Sequence, residues 1–260
     1  MAVSGNRSGS AVISGSGQLA GGTYEDVKIS GSGVIDGDID AKTVKVSGSA
    51  KFKGNVAAGL VKVSGAASFL GKVATNEFKS SGSGDVSGDL AAQTLKTSGA
   101  LHVRGSIRGQ EVRISGSLRA EGDVEAEQFH VSGSFRIGGL LNASVIDVEV
   151  GGRCEAKEIG CDRMRVVPTP MSVFWKTVSK LSEALGFGKK GALAAEVIEG
   201  TELDLHLTRA RIVRGNRVSI GPGCAIDLVE YPEEAFVSDE ASVGEVRRLS
   251  WRASGGANGY

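Results

Sequence analysis

Ser-Gly pairs stand at Ser30, Ser47, Ser64, Ser81, Ser98, Ser115 and Ser132, and the spacing between neighbours never changes. Segments of one fixed length, without an insertion or deletion, admit few folds. A unit this short cannot bury an apolar face alone, so each must stack on the next and share one continuous core. With Val44 as position 1, the segments begin at Val27, Val44, Val61, Phe78, Leu95, Val112 and Phe129. Position 3 reads Ile29, Val46, Val63, Ser80, Thr97, Ile114 and Val131. Position 9 reads Ile35, Phe52, Phe69, Val86, Val103, Ala120 and Ile137, and position 13 reads Ile39, Val56, Val73, Leu90, Ile107, Val124 and Leu141. Position 15 is small, from Ala41 to Ala143. Positions 5 and 11 are always glycine, from Gly31 to Gly133 and from Gly37 to Gly139.

Odd positions point inward and most even positions point outward, the period of strands with one buried face. The glycine columns cut each segment, supplying positive φ or close backbone approach at corners. Three short strands and three corners in each segment describe one coil of an all-β, parallel β-helix solenoid with 17-residue coils. One extra residue would put every later side chain out of its column.

The pattern extends both ways. A coil one residue shorter begins near Ala11, and two residues are added after Val145 before a degenerate coil through Val148, Val150, Cys154, Ala156, Ile159 and Cys161. Both cysteines face inward in that register and read as small core hydrophobes, against a metal or redox role. Coil-like sequence resumes near Val197, where Ile198 and Gly200 match positions 9 and 11. About eleven coils at ~4.8 Å spacing make a rod of roughly 50 Å. Residues 1–10 read as a flexible N-terminus and 11–167 as β-helix. Residues 168–193 read as an amphipathic helical insertion, 194–248 as β-helix continuation and C-terminal cap, and 249–260 as a flexible tail.

In the insertion, Phe174, Val178, Leu181 and Leu185 form an apolar stripe at helical spacing, flanked by Trp175, Lys176 and Lys180. Such a stripe either docks on the β-helix wall or lies in the headgroup layer of an anionic membrane. A second feature is outward: position 2 reads Lys28, Lys45, Lys62, Lys79, Lys96, Arg113 and His130. Like charges on adjacent strands repel. The column therefore serves either to prevent sideways sheet pairing or to hold a polyanion, an anionic lipid surface or an acidic partner.

Composition limits the function. The 30 basic and 30 acidic residues cancel, so no whole-molecule field for nucleic acid is expected. No secretory signal is visible near Met1, and three cysteines fit free thiols in a reducing cytoplasm. The three histidines are His102, His130 and His206, and no His/Cys spacing resembles a zinc site. No phosphate loop is present. The position-4 serines have no histidine in register and read as corner hydrogen-bonders. No catalytic residue, cofactor or metal is expected.

The coils of the "VKVSGS…GxV" type, together with the tail "RGNRVSIGPGCAIDLVEY", resemble the bactofilins, polymer-forming cytoskeletal proteins of bacteria. The resemblance covers about Val12 to Val167 and Ile198 to Tyr231. It implies a right-handed β-helix that assembles end to end into nucleotide-independent filaments. It also implies a cytoplasmic location, often at the inner face of the cell membrane, and scaffolding of client proteins in cell shape, envelope growth or motility. The expected partner is therefore the chain itself, with the coil at Val12 and Ile13 as the first candidate contact. Independent of family, a β-helix ends in strand edges and an open apolar section that must be capped or paired. A non-polymerising adaptor that uses the basic column or the insertion is the alternative.

Overall fold

The computed structural model describes residues 9–168 and 192–250. They form a single parallel sheet of 20 strands and contain no helix. Position 1 can be followed rung by rung through Ala11, Val27, Val44, Val61, Phe78, Leu95, Val112, Phe129, Ile146, Met164, Leu203, Val218 and Ala235. That is two levels more than the sequence pattern suggests. At ~4.8 Å per level the stack is roughly 60 Å long.

Each regular coil holds two strands rather than three. A short one covers positions 6 to 9, as in Ser49–Phe52, and a long one runs from position 13 to position 3 of the next segment, as in Val56–Val63. The third corner is a bend inside the long strand, where positions 16 and 17 both face outward between inward positions 15 and 1. Hydrogen bonding survives such a bend, so no glycine column is needed there.

The columns named from sequence are the core. Positions 1, 9 and 13 are buried in all seven segments. Position 7 joins them: Leu101, Leu118 and Phe135 are buried there, whereas earlier coils carry Gly33, Ala50, Ala67 and Gly84. Volume is traded between positions in several coils. Where position 7 is alanine, position 9 is Phe52 or Phe69; where it is Gly84, position 1 is Phe78; where it is Leu118, position 9 shrinks to Ala120. A close-packed interior of fixed cross-section requires this compensation. Phe52 and Phe69 stack at 4.7 Å, and Phe129 meets Phe135 edge-on at 5.4 Å.

The Ser-Gly corner depends on close approach. A Cβ on Gly48 would lie 2.0 Å from the Gly31 carbonyl oxygen, and one on Gly82 would lie 1.9 Å from that of Gly65. The main chain makes the bonds: the Ile29 carbonyl accepts from Ser47 N–H at 2.8 Å, and the Gly31 carbonyl from Ser49 N–H at 2.8 Å. The serine side chains face solvent, so they are not the corner's hydrogen-bonders. Side-chain hydrogen bonding is found instead at position 12, in the corner that follows the short strand. Asn55 N–H donates to Asp38 Oδ1 at 2.7 Å, Lys72 N–H to Asn55 Oδ1 at 2.9 Å, and Leu140 N–H to Asp123 Oδ1 at 2.8 Å. Positive φ is required at Gly37 in the same corner, at 108°.

Beyond Ile146 the coil length varies. Phe135 pairs with Cys154 and Leu140 with Glu158, a shift of one residue between them. Cys154 then pairs with Leu193, across the insertion, and Leu193 with Thr208 in a coil shorter than the regular ones. Ile198 and Gly200 therefore stand at positions 13 and 15, beside Ile159 and Cys161, and not at 9 and 11. An Ile-x-Gly spacing cannot separate the two placements when coil length is free. This 15-residue coil shortens the Ser-Gly corner, and Leu207 takes φ 50° to make the turn. The strand Arg153–Pro168 reaches the insertion and Ala192–Leu205 begins after it, so Pro168, Ala192 and Leu193 belong to the sheet. The helix expected around Phe174 to Leu185 lies outside the described residues. The segment expected to cap the C-terminal end forms strands Glu234–Val237 and Ser242–Arg248, which continue the ladders.

Candidate functional site

Nothing in the described residues converges as a reaction centre would. Cys154 is buried in the position-7 column and Cys161 packs against the core. Burial pushes the Cys154 thiol up to about 11 and the Cys161 thiol up to about 12, and Cys224 is raised for the same reason. These are unreactive thiols. His102 spans three rungs, with Nδ1 3.1 Å from Asp85 and Nε2 3.0 Å from Glu121. Both ring nitrogens are thus engaged with carboxylates. His130 lies 3.1 Å from Asp147. Among the described residues no group of His, Cys, Asp and Glu could hold a metal ion. The outer wall carries open troughs, one floored by Ala57, Ala74 and Ala91.

Two kinds of surface remain. The first is the pair of rod ends. Strand Ala11–Ile13 pairs with one strand alone, in register with Val27, Lys28 and Ile29, so its outer edge is unpaired among the described residues. Ile13 and Leu19 pack partly buried against the core at this end. Val12, by contrast, points outward and is 60% exposed, in line with Lys28 at position 2. The sequence pairs Val12 with Ile13 as one candidate contact, but the strand alternation puts them on opposite sides. Tyr24 leans over Gly22 and donates its hydroxyl to the Ala20 carbonyl at 2.9 Å.

At the other end, Ser242–Arg248 pairs among the described residues with one strand alone, Ala225–Tyr231. Val246 stacks on fully buried Val229 and is itself 46% exposed, and Phe236 is 63% exposed. The sequence reads this end as a cap because its residues look charged. The inward Val243 and Val246 alternate with the charges and are the signal that could have revealed it.

The second surface is the position-2 column. Lys28, Lys45, Lys62, Lys79, Lys96, Arg113 and His130 occupy successive rungs in register. Each is the next-to-last residue of its strand and has a neighbour strand on both sides, so none guards a sheet edge. The upper part of the column is compensated from position 17: Lys79 pairs with Glu77 at 2.7 Å, Lys96 reaches Glu111 at 3.9 Å, and Arg113 pairs with Glu111. The Arg113 guanidinium holds the Glu111 carboxyl below its usual range. Among the described residues Lys28, Lys45 and Lys62 have no ion pair.

Past the insertion, charge columns alternate in sign. Glu199, Arg214, Glu230 and Arg247 follow one another in register, with contacts of 2.7, 2.6 and 3.1 Å. Arg163, Glu202 and Arg217 do the same on a neighbouring column. Arginine hydrogen bonds hold Glu230 and Glu202 below the usual carboxylate range.

Comparison with known proteins agrees with the coil pattern. Residues 1–90 match the Bactofilin family, described as polymer-forming cytoskeletal. The chain is 36% identical over 112 residues to the Bacillus subtilis (strain 168) protein YhbE, covering 42% of this chain and 43% of that protein. It is 43% identical over 61 residues to YhbF of the same organism, covering 24% of this chain and 26% of the relative. Both relatives are called uncharacterized, and this chain spans less than half the length of either. No solved structure matches.

Proposed function

We propose, starting from a stack whose first 90 residues are bactofilin-like sequence, that this protein is a cytoskeletal scaffold. It assembles end to end into filaments without nucleotide. The observation that carries the reading is that among the described residues both ends of the stack present an unpaired strand edge beside apolar side chains, Ile13 and Leu19 at one and Val243 and Val246 at the other. Joining such ends satisfies edge hydrogen bonds and buries apolar surface in one step. Two sticky ends, unlike one, support growth beyond a dimer. The scaffold acts in the cytoplasm at the inner face of the membrane, where it serves cell shape, envelope growth or motility. Membrane contact is assigned to the insertion, through Phe174, Trp175, Val178, Leu181 and Leu185 with Lys176 and Lys180 toward anionic headgroups. Supporting this, Pro168 and Ala192, which flank the insertion, both belong to the sheet and stand beside the same corner, next to Val150 and Arg153.

Negative-stain electron microscopy of purified protein across a concentration series tests the reading. Filaments are expected without nucleotide. Ile13→Asp and Val246→Asp are each expected to arrest growth at small oligomers, and the double variant at monomer. Discrete particles at every concentration would refute self-assembly. Flotation with anionic liposomes tests the insertion, where Phe174→Asp with Trp175→Asp should abolish binding. An adaptor role for the basic column is the second reading, favoured by the unpaired lysines.

A further inference from the structure

Within one column the same residue type stands in two states. Lys79 and Lys96 share their charge with Glu77 and Glu111, but Lys28, Lys45 and Lys62 do not. The residues beside Lys45 and Lys62 at position 17 are Thr43 and Leu60, where later coils have Glu77 and Glu111. Asp26 stands beside Lys28 and accepts from the Ser10 hydroxyl at 3.4 Å. Three exposed lysines thus stand on neighbouring rungs ~4.8 Å apart on a rigid sheet, and among the described residues none of them makes an ion pair. Protection of a sheet edge does not explain them, because each is paired on both sides. Each is followed two residues later by an exposed serine hydroxyl, Ser30, Ser47 and Ser64. One rung therefore offers a cation and a neutral donor on the same side.

We infer that Lys28, Lys45 and Lys62 form a binding site for a linear polyphosphate chain lying along the rod axis. The site is one charge wide, which selects a line of anions over a plane. A bilayer pressed on this face would also meet the carboxylates of Glu77 and Glu111 in the next column. An extended acidic peptide shows side chains to one face only every ~6.6–6.8 Å, out of step with rungs at ~4.8 Å. A polyphosphate carries charge on every closely spaced unit, so each ammonium finds an oxygen whatever the register. Single-stranded nucleic acid shares the phosphate but gains much of its affinity from stacking on aromatic side chains. This column carries none. Binding does not require filaments, so it holds for the free rod and the polymer alike.

The test is titration of the full chain with inorganic polyphosphate, with orthophosphate, an oligothymidylate and phosphatidylglycerol vesicles as parallel arms. The site variant is Lys28→Gln/Lys45→Gln/Lys62→Gln. A charge-matched control is Lys51→Gln/Lys53→Gln/Lys72→Gln, on other columns. Circular dichroism confirms that both fold. Polyphosphate should bind with an affinity that falls with salt. The site variant should lose about tenfold or more and reduce the salt slope by roughly 2, while the control changes less than about threefold. Equal losses in both variants would overturn the site in favour of general charge attraction. Absence of polyphosphate binding would overturn it outright. Lysine-dependent binding of vesicles or oligothymidylate at least as tight as that of polyphosphate would reassign the column to that partner.

Discussion

The first seven regular coils and the coils after the insertion share one core architecture but manage charge in opposite ways. In the first region coil length is constant and like charges stack on like, from Lys28 to Arg113. In the second, charges alternate along Glu199, Arg214, Glu230 and Arg247, and the successive steps take 15, 16 and 17 residues. An invariant coil length keeps position 2 in register, so one cation per unit becomes a line of cations, while other outward columns vary and pair across rungs, as Lys42 does with Glu25 and Arg108 with Glu125. A variable repeat lets each rung be chosen against its neighbour. The two regions show that compensation is set column by column: position 2 is compensated at Lys79, Lys96 and Arg113, and the columns after the insertion by their own alternation.

The comparison can be broken first at the corners. Gly82→Ala would drive a Cβ against the Gly65 carbonyl. It should cost more than about 4 kcal/mol and open the coils on either side. Hydrogen exchange should show those coils unprotected while Ser242–Arg248 stays unchanged, because repeats couple mainly to their neighbours. A comparable loss of protection at Ser242–Arg248 would show that the two regions unfold as one. Phe69→Ala removes the ring that fills the space left by Ala67. About 3–5 kcal/mol should be lost from the first region in denaturant unfolding. Phe69→Ala combined with Ala67→Leu should recover part of it, if volume per coil is the conserved quantity.

Ser80 and Thr97 sharpen the contrast within the first region. They interrupt position 3 side by side, and both hydroxyls are buried without a hydrogen-bond partner. Ser80→Ala with Thr97→Val should raise stability by about 1–2 kcal/mol, because an unsatisfied buried hydroxyl is worse than an apolar group of its shape. Unchanged or lower stability would mean that the hydroxyls find a partner such as water.

Acid should separate the regions next. Glu230 and Glu202 have carboxyls held below their ordinary range by arginines. The ionised form is favoured by folding, so that stabilisation is present at neutral pH. It is lost as pH falls below the ordinary carboxylate value of about 4.3. Hydrogen exchange at falling pH should show the second region opening before residues 27–63. The smallest effect is that of salt. Screening should stabilise the rungs from Lys28 to Lys62 and weaken the alternating columns, and both shifts should stay well below that of the corner variant. A shift of the same sign in both regions would deny that they differ in charge logic.

Legibility followed the same division. In the first region, columns 1, 3, 9 and 13 could be read as core from apolar periodicity, and all are buried, including polar Ser80 and Thr97. The role of Gly48 or Gly82 could be read only in part. A glycine column announces a corner, but positive φ and close approach leave the same mark in sequence. In the second region Ile198 was assigned to the wrong column, since without a fixed period a short apolar-glycine motif fits several rungs. The C-terminal end was obscured because Glu245, Arg247 and Arg248 dominate the eye while Val243 and Val246 carry the edge.

By itself, the sequence determined that the chain stacks in coils, which side chains face the core and that six cations share a column. Those facts are local: alternation and a constant period are properties of neighbours along the chain. The tertiary structure alone decided that later charges pair across rungs and that, among the described residues, three of those cations make no ion pair and both ends are open strand edges. A charge's partner lies one coil away. Once the period fails, that is 15 residues from Glu199 to Arg214 but 39 residues from Arg163 to Glu202. Only the folded register says which residue the partner is.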